Sequence, residues 1–400
     1  MKNINIYISY LIRAIRSKFC LLLIISFVWL YRVDFMPDSG LGLAKIIQIC
    51  ALLYMGLWTY HQKGSWFNWT LNHSNSSIRW LLLLYLFAVV STLWAFNRQF
   101  AAFLSLQNVV FIILLFTLCA KFKNFYSLER FFVYGLLTAF LFEAIVSRIE
   151  EPFLFNHFLP AGSTAAISLS YCFSEYLNST FQTPNECKRK QLLSFGIVTS
   201  FIVVVLSTST GANVSAVAGI AIGLMFSRHR IWGALMMVTA VLLYLNIDKM
   251  DQLVLLIAPG KTIEEVQTGT GREQIWDVLL SYANQKPWLG WGFACIERVH
   301  QLDVLEGQSL SDAHNFYIGI YGGLGIVGCV LLGIHILYQL TFTFKRVNRI
   351  GFLGLLSASC CALVNGYSYG YLSGKACSIT LAYFSVVVLT YYYARVRSHD

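Results

Sequence analysis

Residues 314–343 read HNFYIGIYGGLGIVGCVLLGIHILYQLTFT, a stretch of thirty residues that contains no Lys, Arg, Asp or Glu. A helix needs about 20 predominantly apolar residues to cross the hydrocarbon core of a bilayer, so this stretch predicts a membrane-spanning helix. The 400-residue chain repeats the pattern: 57% of it is hydrophobic, only 12% is charged, and its mean hydropathy is +0.62. These values exclude a water-soluble globular protein and indicate an integral membrane protein.

Further apolar runs of similar length predict an all-α, polytopic membrane protein with about twelve transmembrane helices. The predicted spans are residues 19–33, 40–60, 79–96, 100–120, 127–147, 157–177, 191–208, 212–227, 231–247, 314–343, 351–371 and 376–393. The sequence shows no long linker and no internal repeat, so residues 1–400 are predicted to form a single transmembrane domain. The first span is followed by no small-residue cleavage pattern, which favours a retained anchor over a signal peptide.

The distribution of basic residues predicts the orientation of these spans. Nineteen of the 29 Lys and Arg residues fall in the connections that are inside if the N-terminus is inside. Five lie in the long loop before residue 314, where the positive-inside rule is weak, and five lie at other outer positions. Both termini are therefore predicted to be cytoplasmic. Basic inner loops beside anionic membrane lipids account for the net charge of +10 without a nucleic-acid partner.

Polar and sulfur-containing residues within the spans predict structural roles. Glu143, Glu175 and His335 lie in apolar stretches, and we favour positions near helix ends over functional roles for them. Most of the ten cysteines fall inside predicted spans, and none has the CxxC or Cys/His spacing of a metal site. The sequence thus predicts no structural disulfide, no metal and no cofactor.

Residues 248–313, between the ninth and tenth spans, form a predicted outer loop with ten acidic and five basic residues. A loop of this length is too long for a plain connector. Apolar residues recur at helical spacing after Arg272, namely at Ile275, Leu279 and Tyr282, which predicts a short helix. Pro287 should end it, and the aromatic residues 288–293 are expected to lie along the membrane interface.

Arg272 is a candidate anion-binding residue because it stands in the first turn of this predicted helix. A guanidinium beside the free N–H groups of a helix start suits an anion such as a diphosphate. The alternative is a surface arginine paired with Glu273 or Asp277, and the pattern alone favours neither.

His314 is a candidate general base because an imidazole with an unperturbed pKa of about 6.5 can accept a proton near neutral pH. Asn315 can donate and accept hydrogen bonds beside it, and Asp312 can orient the ring. The alternative is a helix cap or an interfacial anchor. Gly325 and Gly328 follow in the pattern H-N-x9-G-x-x-G and allow another helix or a lipid-linked substrate to approach closely, although such spacing is also common in simple helix packing.

Three motifs together point to a family: GRExxW at residues 271–276, PWLGWG at 287–292, and DAHN at 312–315 followed by Gly325 and Gly328. This combination resembles the superfamily of O-antigen ligases and O-antigen polymerases, which are glycosyltransferases of the bacterial inner membrane. The predicted span count, the cytoplasmic termini and the large outer loop are similar as well.

The resemblance implies a metal-independent, inverting transfer of a glycan from undecaprenyl diphosphate on the periplasmic face. In ligases the acceptor is a sugar hydroxyl of lipid A-core, and in polymerases it is another lipid-linked repeat unit. By the same resemblance His314 is the catalytic histidine that activates the acceptor, and Arg272 is the loop arginine that holds the diphosphate. Further substrate-binding candidates are Asn315, Trp276, Arg148, Lys261 and Arg298.

The chain departs from the ligase pattern in the turn at residues 207–213. Ligases usually carry an arginine in this outer turn, whereas the sequence here is Ser-Thr-Ser-Thr-Gly-Ala-Asn. Either the hydroxyls and free amides of the turn bind the phosphate, or another cation such as Arg148, Lys261 or Arg298 takes over.

A non-catalytic flippase for lipid-linked oligosaccharides is the alternative of a different class. Such a transporter should carry ionisable residues near the bilayer centre and repeated, interrupted helices. This chain concentrates its polar residues in one outer loop instead, which favours surface chemistry over translocation.

Overall fold

The computed structural model describes residues 43–61, 77–122, 124–150, 159–179, 183–245, 272–300, 314–374 and 376–396. Within these residues the chain forms thirteen α-helices and one short 3-10 turn, and no strand. The predicted all-α class is confirmed for this part of the chain. Eleven of the twelve predicted spans coincide with a helix, and the remaining one, residues 19–33, lies outside the described residues.

The helices are α1 (Leu43–His61), α2 (Ser77–Val90), α3 (Arg98–Cys119), α4 (Phe125–Glu150), α5 (Leu159–Asn178), α6 (Pro184–Leu206), α7 (Thr210–Met225), α8 (Arg230–Leu245), α9 (Arg272–Ala283), α10 (Ile296–His300), α11 (Phe316–Phe344), α12 (Phe352–Asn365) and α13 (Ser378–Val396). Among the described helices, α3, α6 and α11 are long and apolar enough to cross a membrane, and α1, α2, α7, α12 and α13 contain shorter apolar segments. The chain divides into two units, Met1–Lys63 and Gly64–Asp400. The described part of the first unit is α1, and the second unit contains the other helices.

α5 is enclosed within the second unit, where α4, α6, α7, α12 and α13 pack around it. Its residues 161–172 are buried without interruption. Small residues allow this close packing: Gly219 of α7 lies against Ser170, and Gly223 lies against Ser174. Ser174 in turn donates a hydrogen bond of 2.8 Å to the hydroxyl of Ser357 in α12. Small and hydroxyl-bearing residues at helix contacts are typical of membrane bundles.

His335 has a structural role, but the expectation that it sits near a helix end is wrong. It lies nine residues before the end of α11 and is fully buried. Its Nδ1 lies 2.8 Å from the carbonyl oxygen of Ser77 and donates to it, and its Nε2 is hydrogen-bonded to the hydroxyl of Tyr383 at 2.8 Å. Because both ring nitrogens are bonded, the imidazole links α2, α11 and α13.

α11 is interrupted at Gly325, whose backbone angles are φ 65° and ψ −161°. The segment that follows α9 fills this break with its own backbone. Four hydrogen bonds join the two: Trp291 N to Gly322 O (2.9 Å), Gly292 N to Gly323 O (2.9 Å), Ile326 N to Pro287 O (2.8 Å) and Val327 N to Trp288 O (3.4 Å). In a continuous helix the carbonyls of residues 322 and 323 would accept from the N–H groups of residues 326 and 327. The loop therefore provides partners for the carbonyls of residues 322 and 323 and for the N–H groups of residues 326 and 327.

The inserted segment, residues 287–293, is also bonded to the α2–α3 connection. Phe96 N donates to the carbonyl of Trp291 at 2.9 Å, and Phe293 N donates to Ser91 Oγ at 3.0 Å. The backbone of residues 291–293 thus runs between α11 and the α2–α3 connection, while the side chains of Trp288 and Leu289 are exposed. That residues 288–293 lie along the membrane interface stays a prediction. The break at Gly325 lies about 14 Å along the helix axis from the start of α11.

Candidate functional site

His314 directly precedes α11, and Asn315 is the N-cap of that helix. The Oδ1 atom of Asn315 accepts hydrogen bonds from the N–H groups of Tyr317 (2.9 Å) and Ile318 (3.3 Å). The capping function that the sequence left open for His314 therefore belongs to its neighbour. His314 itself has a left-handed backbone with φ 47°. A non-glycine residue persists in that conformation only where its surroundings hold it, and here the chain continues directly into the fixed cap at Asn315.

The ring of His314 faces a loop that sequence reasoning did not select. We call residues 366–371, Gly-Tyr-Ser-Tyr-Gly-Tyr, the tyrosine loop; it follows α12. The ring centroids of His314 and Tyr369 are 6.5 Å apart. The backbone N–H of Phe316 donates to the carbonyl of Gly366 at 3.0 Å, which ties the start of α11 to this loop.

Arg272 contacts the same loop. It is the first residue of α9, and its Nη1 donates to the carbonyl oxygen of Ser368 at 3.3 Å. Trp276, one turn later, packs edge-to-face on Tyr367, with ring centroids 5.0 Å apart. The predicted helix after Arg272 is confirmed, and Leu279 on its apolar face is buried.

The turn at residues 207–213 meets the tyrosine loop as well. Gly211 lies so close to Ser368 that an added Cβ would overlap the serine hydroxyl. Ser209 caps α7 by accepting from the N–H of Ala212 at 3.3 Å. The Thr210 hydroxyl oxygen is buried and has no hydrogen-bond partner among the described residues.

Three further predicted substrate-binding residues are Arg298, Arg148 and Lys261. The guanidinium of Arg298, in α10, lies 3.7 Å from the ring centroid of Phe100. Arg148 belongs to the last turn of α4, and only its backbone is described. Lys261 lies outside the described residues, as do residues 248–271 and 301–313 of the predicted loop. No three His, Cys, Asp or Glu side chains of the described part are placed to hold a metal ion.

The structure thus brings His314 and Arg272 to neighbouring residues of one loop, with α7 beginning beside them. The tyrosine loop was missed because the predicted span 351–371 included it, whereas α12 ends at Asn365. The available signal was the alternation of Tyr367, Tyr369 and Tyr371 with Ser and Gly, which interrupts an apolar run with turn-forming residues.

Comparison with known proteins confirms the resemblance. Residues 195–333 match the family described as O-antigen ligase. This region includes His314, Arg272, Gly325 and the turn at 207–213, whereas the tyrosine loop lies beyond it. A protein of Pseudomonas aeruginosa named O-antigen ligase is 33% identical over 105 residues, which are 26% of this chain. The match spans 24% of that relative's length.

Proposed function

With the O-antigen ligase match as premise, we propose that this chain transfers O-antigen polysaccharide from undecaprenyl diphosphate to a sugar hydroxyl of lipid A-core. The observation that carries the proposal is the convergence of His314 and Arg272 on Tyr369 and Ser368, which are adjacent in sequence. The two groups supply complementary chemistry, because one can accept a proton and the other carries a permanent positive charge.

The proposed reaction is a single displacement at the anomeric carbon of the donor. The acceptor oxygen forms a bond to that carbon while the bond from the carbon to the diphosphate oxygen breaks, which inverts the configuration. His314 takes the proton of the attacking hydroxyl, and undecaprenyl diphosphate leaves with the electron pair. Arg272 meets the charge of the leaving diphosphate, so the scheme requires positioning and electrostatic stabilisation from the protein and no metal.

We propose that groups in the turn at residues 207–213 bind phosphate in place of the arginine that ligases usually carry there. This turn lies against Ser368, whose carbonyl receives Arg272. The start of α7 offers backbone N–H groups there, and the Thr210 hydroxyl is buried beside them. We assign the second phosphate to these donors, since helix starts bind anions. Arg148, Lys261 and Arg298 remain proposed substrate-binding residues, and Asn315 contributes by fixing the position of His314 through its cap.

The proposed topology is one membrane domain with about twelve spans, both termini in the cytoplasm and the site at the periplasmic face of the bacterial inner membrane. The break in α11 does not favour the flippase alternative. An interrupted transporter helix exposes its free backbone groups to a substrate or ion. Here the backbone groups on either side of Gly325, at residues 322, 323, 326 and 327, are bonded to residues 287, 288, 291 and 292.

The choice between ligase and polymerase is tested by deleting the gene and separating the lipopolysaccharide on a gel. A ligase deletion leaves core-only lipid A while polymerised glycan stays on its lipid carrier. Core that carries a single repeat unit would assign the chain to the polymerase branch. The P. aeruginosa relative named O-antigen ligase is the reason that we place the ligase first.

The residue roles are tested in purified protein with lipid-linked donor and lipid A-core. We expect His314→Ala to lower the transfer rate about 10²–10⁴-fold, which is the usual contribution of a general base. Arg272→Ala should weaken donor use more than Arg272→Lys, because Lys keeps the charge but not the two-pronged geometry. His229→Ala and Arg130→Ala, at exposed positions elsewhere, are the matched controls. Unchanged transfer by the His314→Ala protein would remove the histidine from the mechanism.

A further inference from the structure

An aromatic pair stands directly beside the proposed diphosphate residue. Arg272 and Trp276 are four residues apart in α9 and so lie on the same face of that helix. The ring of Tyr367 meets the ring of Trp276 at 76°, an edge-to-face arrangement. In this arrangement one ring turns its edge to its neighbour and leaves its own faces available. Tyr367 is 60% exposed, which shows that the contact with Trp276 does not cover it.

The backbone around Tyr367 is firmly held although its side chain is exposed. Tyr371, in the same loop, is fully buried, and its hydroxyl donates to the carbonyl of Ala362 at 2.8 Å. On the other side Gly366 packs so tightly on the ring of Phe316 that no Cβ would fit. The loop thus presents an exposed aromatic ring from a fixed base, which limits the entropy lost when a ligand packs on it.

We infer that Trp276 and Tyr367 form a binding platform for the donor sugar attached to the diphosphate, a pyranose ring that packs its C–H face on the exposed aromatic ring. The inference rests on the proposed function and deepens it. A diphosphate held by Arg272 places its attached sugar within one helical turn, which is where the pair stands. The C–H groups of a sugar face carry partial positive charge and pair with the negative face of an aromatic ring.

The experiment distinguishes binding of the sugar from binding of its lipid diphosphate carrier. Undecaprenyl diphosphate, the product, has the diphosphate and the lipid but no sugar, so its inhibition of transfer reports on those parts alone. In Tyr367→Ala we expect the KM for the glycan-linked donor to rise about tenfold, the loss of one aromatic contact. The inhibition constant of undecaprenyl diphosphate should stay within about twofold of the wild type. Arg272→Ala should instead raise both the KM for the donor and the inhibition constant of undecaprenyl diphosphate. Tyr367→Phe should behave like the wild type, since the ring and not its hydroxyl binds the sugar.

Trp288→Ala is the control for an exposed aromatic residue that merely anchors the protein in the interface, because Trp288 is 67% exposed and lies outside the pair. The KM of the Trp288→Ala protein for the donor should equal that of the wild type. The platform is overturned if Tyr367→Ala leaves the donor KM unchanged, or if it raises the inhibition constant of undecaprenyl diphosphate as much as the donor KM. Either result would leave the proposed function intact, because that function depends on His314 and Arg272.

Discussion

Arg189 shows how a charged residue can be buried in this bundle. It is 3% exposed and bonds two carboxylates: its Nε lies 2.6 Å from Glu129, and its Nη2 lies 2.6 Å from Glu175. The single positive charge of the guanidinium does not neutralise the negative charges of two carboxylates. The remaining charge is met by backbone N–H groups at the start of α12, where Gly351 and Gly354 donate to Glu175 at 2.7 and 2.8 Å. A helix start is suited to this because its N–H groups are free and its dipole is positive there.

Removing the arginine alone should therefore be severe. We expect Arg189→Met to lower the free energy of unfolding by about 3–5 kcal/mol, since it leaves two buried carboxylates without their cation. Thermal unfolding in detergent measures the effect. Lys188→Met is the matched control, because the neighbouring Lys188 is exposed and its loss should change stability little. Equal unfolding temperatures for the two variants would show that the carboxylates are stabilised without Arg189.

The break in α11 explains why two glycine-containing motifs that are distant in sequence occur together in this chain. PWLGWG supplies the inserted backbone, and Gly325 supplies the helix break that receives it. This contact joins the segment that follows Arg272 to the helix that follows His314. The positions of the two proposed functional residues are therefore coupled through backbone hydrogen bonds, which are specific in geometry but independent of side-chain identity.

Gly325→Ala tests this coupling. The added Cβ would overlap the carbonyl of Trp288, and the positive φ is unfavourable for alanine by about 1–3 kcal/mol. We expect transfer to fall and the amide hydrogens of Trp291 and Gly292 to exchange faster, because these two N–H groups lose their acceptors in α11. Gly333→Ala, in the same helix, is the control, since its added Cβ would meet no atom within 4 Å. Amides of Trp291 and Gly292 that stay as protected in the Gly325→Ala protein as in the wild type would contradict the coupling.

The proposed arrangement across the membrane is tested by labelling from one side. Gln285→Cys, in the exposed turn after α9, should react with a membrane-impermeant maleimide added to the periplasmic side. Arg228→Cys, in the exposed turn between α7 and α8, should react only after the membrane is permeabilised. The exposed Cys50 and Cys187 are first replaced by Ser.

Native Cys295 should not interfere with this measurement. It is fully buried, and burial raises the pKa of its thiol, so little of the reactive thiolate forms near neutral pH. The opposite labelling pattern, with residue 285 protected and residue 228 reactive from outside, would invert the proposed topology and place the site in the cytoplasm.

The sequence by itself determined the helical class, the bounds of most helices to within a few residues, the family resemblance and the position of His314 before a long apolar helix. These properties are local, because hydropathy and capping depend on residues close together in the chain. Only the tertiary structure decided that the tyrosine loop lies between His314 and Arg272, that residues 287–292 complete α11, and that Arg189 joins two carboxylates. Those contacts link segments far apart in sequence through backbone groups and buried polar pairs, and neither leaves a periodic pattern along the chain.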